Sequence, residues 1–345
     1  MMSSSSVAPP PSKIQGETLP QRLQQLNHHH LVASAYRGTI VEQSHTAHWC
    51  LLGAAGQVLA SSTGGEAWQA SWRSAAKPLQ AWAALSQVEP SAWVTLPPEA
   101  LAVACGSHSG LLAHHVAVDH WLQQAGLGHE QLACGVHPPL ASQTHQPNTA
   151  KANNCSGKHA LQVWVCVQRH WPTGTYTLPK HVLQQAIAQQ LQSLCPQHPL
   201  HWSTDGCGLP VPASSLLGLA QAVQQWTADP VGQRLWQAMR THPYYLGGPN
   251  RLDTVLAMAS PLLSKTGAEG LVWVWHPAHN EVLVLKTTSG DCAARDRLVV
   301  WLLQQLGWLT PPMALRCQAQ LLSLQTQRRN HHGEGIGVWE CSKTR

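Results

Sequence analysis

The sequence predicts an α+β fold, with one antiparallel sheet built from both ends of the chain, packed with helices, and a helical subdomain formed by the middle. Short apolar runs typical of strands occur at both ends of the sequence: 31–36, 39–41, 47–53, 58–62, 271–275 and 282–285. Helical spacing of apolar residues occupies the middle: 111–125, 157–169, 181–194, 212–226 and 231–241. Strands that flank helices in this way are typical of a sheet covered by helices.

Turn residues separate these elements. The sequence Gly-Ala-Ala-Gly at 53–56 predicts the turn between two of the early strands. A helix is predicted just after Ser74, where apolar residues recur at spacings of three and four. The sequence Pro-Ala-His-Asn at 277–280 predicts a hairpin between the two late strands, and 291–306 read as a final helix.

The ends of the chain differ from its body in composition. Residues 1–28 are rich in Ser, Pro and Gln, so the sequence predicts a disordered tail there. Residues 29–325 are predicted to form one folded domain, followed by a loose polar tail at 326–345.

Composition and charge exclude several classes of protein. The 345 residues carry a net charge of +5 without a dense run of Lys and Arg, so nucleic-acid binding is not predicted. The ten cysteines are scattered, unlike those of a small secreted disulfide scaffold. We find neither an apolar secretion signal near the start nor the roughly 18 apolar residues of a membrane span. A cytoplasmic protein with reduced thiols is the expectation.

Two motifs predict a serine nucleophile with a lysine base. Ser74 precedes Lys77 by three positions, and Lys265-Thr266-Gly267 follows far downstream, a combination used by penicillin-recognising serine hydrolases. Positions i and i+3 share one face of a helix, so hydroxyl and amine can touch there. A lysine held neutral by burial or by a neighbouring cation, such as Arg73, can accept the hydroxyl proton.

A second hydroxyl lies in the small-residue turn at 105–110. Ser107 of this turn either caps the helix that follows or faces Lys265 across the cleft. In the second case, two serine–lysine pairs in one site would move protons between nucleophile and leaving group.

Three further segments are dense in reactive side chains. Cys155 and Cys207 lie in glycine-containing turns and are interpreted either as a pair of metal ligands or as buried free thiols, because their spacing is not that of a zinc motif. Arg251 and Asp253 lie where a turn leads into a helix, which favours a structural role with Asp253 as a helix N-terminal dipole or cap residue; the alternative is that Arg251 receives a substrate carboxylate.

Taken together, these segments resemble the asparaginase II family, first known from a thermolabile rhizobial enzyme. The matching sequences are RSAAKPLQ from Arg73, GSHSG from Gly106, NNCSGKH from Asn153, DGCGLP from Asp205, RLDT from Arg251 and SKTGAEG from Ser264. They follow one another in the family's order, from roughly residue 31 to 310.

The resemblance implies a fold like that of the serine β-lactamases and hydrolysis of L-asparagine to L-aspartate and ammonia by residues 29–325. It implies two catalytic pairs, Ser74 with Lys77 and Ser107 with Lys265. It also implies a zinc ion held by Cys155, Lys158 and Cys207, a homodimer, and a substrate pocket with further contributors: Arg73, His159, Asp205 and Arg251.

We therefore expect an amidohydrolase in which Ser74 attacks the side-chain amide and Lys77 accepts its proton. Two alternatives stay open from the residues. One is a different serine–lysine hydrolase of the same fold, such as a glutaminase, a β-lactamase or a peptidase, although an export signal and a Ser-Asp-Asn motif are not evident. The other is a zinc-binding relative without activity, although all four serine and lysine residues are present.

Overall fold

The computed structural model describes residues 17–141 and 147–344. Its strands are β1 Leu31–Arg37, β2 Ile40–Leu52, β3 Val58–Ser61, β4 Gln69–Ser71, β5 His201–Thr204, β6 Pro210–Ser215, β7 Leu263–Thr266, β8 Leu271–His276, β9 Glu281–Thr287, β10 Gln327–Arg329 and β11 Gly335–Lys343. Its helices are α1 Leu19–Leu26, α2 Lys77–Leu85, α3 Pro98–Cys105, α4 Leu112–Ala125, α5 Ser156–Gln168, α6 Val182–Leu194, α7 Leu216–Ala228, α8 Pro230–Thr241, α9 Tyr244–Gly247, α10 Leu252–Ala259, α11 Cys292–Gln305 and α12 Pro311–Gln320.

The main sheet is antiparallel and joins strands from both ends of the chain, as the sequence predicts. Its order is β10-β11-β1-β2-β9-β8-β7, and β3 pairs with the second half of β2. A small separate sheet has the order β4-β6-β5. The α+β class is therefore confirmed.

The sheet is the middle layer of three, because both of its faces are apolar. Along β8, Trp273 and Trp275 face the large helical body, whereas Val272 and Val274 face a second core formed with α10, α11 and α12. Alternate residues of a strand point to opposite faces, so a continuous apolar run is what burial on both sides requires. The helical subdomain is formed by α2 to α8 and covers the face that bears the tryptophans.

Three local predictions were wrong. Residues 210–215 form β6, so the helix predicted at 212–226 begins only at Leu216, where the Ser215 hydroxyl accepts a hydrogen bond from the Gly218 N–H as an N-cap. Within the tail predicted to be disordered, Leu19–Leu26 form α1, with Leu26 buried; residues 1–16 of that tail lie outside the described residues.

The tail predicted to be loose, 326–345, contains β10 and β11, and β11 pairs with β1 over five residue pairs. The helices α3 and α12 were not predicted. No helix within 17–141 and 147–344 has the length and apolarity needed to cross a bilayer.

Candidate active site

One cavity of about 340 Å³ brings remote segments of the chain together. Its walls include Ser74 before α2, Ser107 after α3, Asn154 before α5, Arg251 before α10 and Thr266 on β7. Five of the six motifs that the sequence analysis singled out therefore meet in a single space.

Backbone geometry at two positions sets the serines at this cavity. Arg73 has a left-handed φ of +45°, uncommon for a residue with a side chain, and it opens a short 3₁₀ turn that carries Ser74 into α2. Gly106 lets the Ser107 loop pass close to α9, because a Cβ there would lie 2.6 Å from the Tyr245 carbonyl oxygen. The Ser107 N–H then donates to the Leu246 carbonyl at 2.7 Å.

The lysine of the first motif contacts the other serine. Lys77 is fully buried; its Nζ donates to the Asn154 carbonyl at 2.8 Å and lies 3.0 Å from Ser107 Oγ. The Ser74 side chain forms no hydrogen bond among the described residues, although Ser74 lines the cavity. The expected pair of Ser74 with Lys77 is corrected: Lys77 begins α2 after the 3₁₀ turn, and its side chain crosses to the Ser107 loop.

Lys77 is in an environment that favours the neutral amine. Burial lowers its pKa, and the neighbouring Lys158 lowers it further, against the opposing influence of Cys155. A neutral amine has a lone pair that can accept the proton of a hydroxyl at 3.0 Å.

Lys265 is held by a carboxylate and not by Ser107, which corrects the second expected pair. Its Nζ donates to Asp253 Oδ2 at 3.0 Å and to the Thr266 carbonyl at 2.9 Å. Burial lowers the pKa of Lys265 to about 8, with the Asp253 charge opposing this shift. Lys265 lies within β7, whereas the sequence analysis had placed it just before a strand.

Asp253 is a functional residue that the sequence analysis missed. Besides Lys265, this buried carboxylate accepts hydrogen bonds from the Ser264 hydroxyl at 3.1 Å and from the N–H and hydroxyl of Thr266, both at 2.8 Å. Burial raises the pKa of Asp253, but the Lys265 charge, the hydrogen bonds from Lys265 and Thr266 and the Arg295 charge together outweigh it, so the net pKa is lowered. Asp253 interacts with β7 and not with its own helix end, so a local interpretation from the sequence could not find this contact.

The predicted metal ligands lie together. Lys158 Nζ donates to Cys207 Sγ at 3.5 Å. The neighbouring Cys155 thiol, together with the Lys158 charge, lowers the pKa of Cys207 to about 5, which favours the thiolate at neutral pH. Burial lowers the pKa of Lys158, but the charges of Cys207 and Cys155 outweigh it and raise the net pKa.

This donor set fits a thiophilic cation. Two sulfur donors and one amine nitrogen match zinc, provided that the metal displaces the lysine proton. Within the described residues, no group of three or more His, Cys, Asp and Glu side chains is arranged to hold a metal. A three-ligand site at Cys207 therefore needs Lys158 as one of its ligands.

Of the predicted substrate contacts, only Arg251 lines the cavity in the described structure. Arg73 Nε donates to Asp205 Oδ1 at 2.7 Å, so these two residues neutralise each other behind Ser74. His159 is fully buried, with Nδ1 2.6 Å from the Tyr176 hydroxyl oxygen, and burial lowers its pKa to about 3. Direct substrate contact by His159 and Asp205 is therefore not what the geometry indicates.

Three cations of the site are each paired with an anion, and one amine, that of Lys77, has no anionic partner among the described residues. The ammonium of Lys265 is paired with Asp253, that of Lys158 with the Cys207 thiolate, and the Arg73 guanidinium with Asp205. In the described structure Lys77 has no such anion, which agrees with its lowered pKa. The arrangement can supply a neutral base beside a hydroxyl, within a field of fixed charges.

Comparison with known proteins supports the resemblance seen in the motifs. No curated protein matches the chain at a significant level. The sequence model of the L-asparaginase II family matches residues 33–341, nearly the whole chain. That range includes every cavity residue named above, and the chain belongs to the L-asparaginase II family.

Proposed function

We propose that the protein hydrolyses L-asparagine to L-aspartate and ammonia. Membership of the L-asparaginase II family supports an amidohydrolase. The observation that carries the serine–lysine mechanism is the buried Lys77 amine, which lies 3.0 Å from the Ser107 hydroxyl at a cavity that Ser74 also lines. The meeting of the Ser74 turn with the Lys265 strand also supports the finer proposal of a serine-β-lactamase-like fold.

Ser74 is the proposed nucleophile, because its hydroxyl is at the cavity and is not engaged by the described protein atoms. As Ser74 Oγ bonds to the amide carbon, its proton passes to Ser107 Oγ, and the Ser107 proton passes to Lys77 Nζ. The carbon–nitrogen bond then breaks, and Lys77 gives its proton to the departing nitrogen, which leaves as ammonia. Water releases aspartate by the reverse proton route, with Lys77 again the base.

Lys265 acts in this proposal as a fixed positive charge. Below pH 8 it is an ammonium ion locked by Asp253, so it stabilises the negative charge that develops on the substrate carbonyl oxygen. Backbone donors on the same strand are already used, since the Thr266 N–H donates to Asp253 and the Gly267 N–H to the Leu271 carbonyl. The backbone N–H of Ser74 is the proposed oxyanion donor.

Zinc belongs to the same proposal, with Cys155, Lys158 and Cys207 as its ligands. Bound there, it would supply a Lewis acid with an open coordination position and tie the loop before α5 to the loop before β6. Its proposed role is to orient substrate and hold these loops. A homodimer in the cytoplasm is likewise proposed from the family resemblance.

Three assays test the reaction, each with and without a chelator. They measure ammonia release from asparagine, ammonia release from glutamine, and hydrolysis of nitrocefin. We expect asparagine turnover in the wild type and a loss of at least about a hundredfold in Ser74→Ala and Lys265→Ala. Ser86→Ala, at the exposed residue that follows the last turn of α2, is the matched control. Rates close to the wild type in both site variants would refute the mechanism, and nitrocefin turnover without asparaginase activity would refute the substrate.

Mass spectrometry of the quenched reaction tests the choice of nucleophile. We expect an aspartyl adduct of the peptide that contains Ser74. An adduct on Ser107 instead would mean that Lys77 activates its hydrogen-bonded neighbour directly.

A further inference from the structure

Glu269 lies at the rim of the cavity in a strained backbone conformation. It follows the wall residues Gly267 and Ala268, and its φ of +58° is in the left-handed region that glycine and asparagine favour. The strain is held in place, since Gly267 and Gly270 on either side are bonded to Leu271 and Thr287 through the backbone. Non-glycine residues kept in this region cluster at binding sites and active sites.

The Glu269 carboxylate is held at the rim from two sides. Its Oε1 lies 3.8 Å from Arg73 Nη1, next to Ser74. Its Oε2 lies 2.7 Å from where a Cβ on Gly290 would stand, so the missing side chain of Gly290 makes room for it beside the start of α11. Cys292, two residues later, is itself part of the cavity wall.

Among the described carboxylates around the cavity, Glu269 is the one that accepts no hydrogen bond from the protein. Asp253 accepts four and is buried under β7. Asp205 accepts from Arg73 and from the Gly206 N–H. Asp296 accepts from Arg295 and from the Ser323 hydroxyl. The Glu269 side chain is 67% exposed, so its oxygens are free to receive a ligand.

Of the three arginines around the cavity, two already donate to protein groups and one does not. Arg73 donates to Asp205, and Arg295 donates to Asp296 and to the Gly267 carbonyl. Arg251 is half-buried in the cavity wall and donates to no described residue. The cavity therefore offers one guanidinium that donates to no described residue and, at its rim, one carboxylate whose described ion pair is the loose contact with Arg73 at 3.8 Å.

We propose that Glu269 is a specificity-determining residue that binds the α-ammonium group of the substrate while Arg251 binds its α-carboxylate. This inference rests on the proposed function and names the substrate class: free α-amino acids with a side-chain amide. An asparagine inside a peptide chain has neither an α-ammonium nor an α-carboxylate, because both groups are part of uncharged peptide bonds. Such an asparagine therefore cannot pair with Glu269 or with Arg251. Charge-assisted hydrogen bonds of this kind are about twice as strong as neutral ones.

Equilibrium binding of L-aspartate and succinate to the zinc-supplemented protein tests the proposal, because these two ligands differ only in the ammonium group. Isothermal titration calorimetry should show that the wild type binds L-aspartate about tenfold to a hundredfold more tightly than succinate. Glu269→Gln should lower the affinity for L-aspartate by about that factor and leave the affinity for succinate within about twofold. Glu269→Asn, which suits the left-handed backbone, should do the same.

The matched control is Glu89→Gln, an exposed carboxylate that does not line the cavity. It should leave both affinities unchanged. A wild type that binds L-aspartate no better than succinate, or not at all, overturns the proposal, as does a preference that survives in both Glu269 variants. Failure of the proposed function is a separate result, since it would be seen as absence of ammonia release from L-asparagine by a protein that still distinguishes the two ligands.

Discussion

Replacement of Asp253 by Asn should destabilise the protein strongly while keeping the shape of the side chain. The amide nitrogen would face the Lys265 ammonium and the Thr266 hydroxyl, where the wild-type carboxylate oxygen accepts at 3.0 and 2.8 Å. Lys265 is fully buried, so the change leaves an uncompensated charge away from water. Removal of one partner from a buried ion pair costs about 3–5 kcal/mol.

Urea unfolding followed by tryptophan fluorescence measures this loss. We expect the midpoint to fall by about 1 M or more, from the usual dependence of the free energy of unfolding on urea. Asp119→Asn is the matched control, because Asp119 also pairs with a lysine, Lys151 at 2.8 Å, but both side chains are partly exposed. That variant should lose at most about 1 kcal/mol. Equal, small losses in both variants would refute the argument that Asp253 is the anchor of β7.

Three further outcomes are expected. Lys77→Met should lower the rate of ammonia release about 10²–10⁴-fold, because it removes the proposed base beside Ser107. The urea midpoint should stay close to that of the wild type, because burial disfavours a charged amine at this position and Met fills a similar space; a large fall in the midpoint would contradict this. Between about pH 8 and pH 10.5 Lys265 should make the free energy of unfolding rise with pH, because in this range the lysine binds a proton in the unfolded chain but not in the folded one. Urea titrations across the range should show that Lys265→Met loses this increase. Cys207→Ser should lower the zinc content measured by elemental analysis at least tenfold, whereas exposed Cys292→Ser should not; zinc retained at wild-type level in Cys207→Ser would contradict the proposed ligand set.

The sequence predicted the layout of the fold and the members of the site better than their pairing. Strands at both ends of the chain and helices between them follow from apolar spacing alone, and the late hairpin β8–β9 is where the pattern placed it. β10 was missed because its residues are polar and mostly exposed. β11 was missed because none of its residues is fully buried, although it contains Ile336, Val338 and Trp339. Main-chain bonds to β1, at the other end of the chain, place β11, and β11 in turn places β10.

Pairing within the site depended on contacts that local spacing does not encode. The i, i+3 rule holds for a uniform helix, but Ser74 lies in a 3₁₀ turn and Lys77 begins an α-helix, and the Lys77 amine is hydrogen-bonded to the Ser107 hydroxyl and the Asn154 carbonyl. Lys77 and Lys265 instead form hydrogen bonds with residues of other segments, Lys77 with Ser107 and Lys265 with Asp253. Only a folded chain sets those distances.

The position of β1 between β2 and β11 constrains how the nascent chain matures. Leu31 is synthesised long before its sheet neighbour Lys343. Throughout elongation one edge of β1 presents unpaired main-chain groups, and such an edge invites pairing with other chains. Closure of so long a loop is entropically costly and slow, so the yield of native protein should depend on temperature and chaperone supply more than its final stability would indicate.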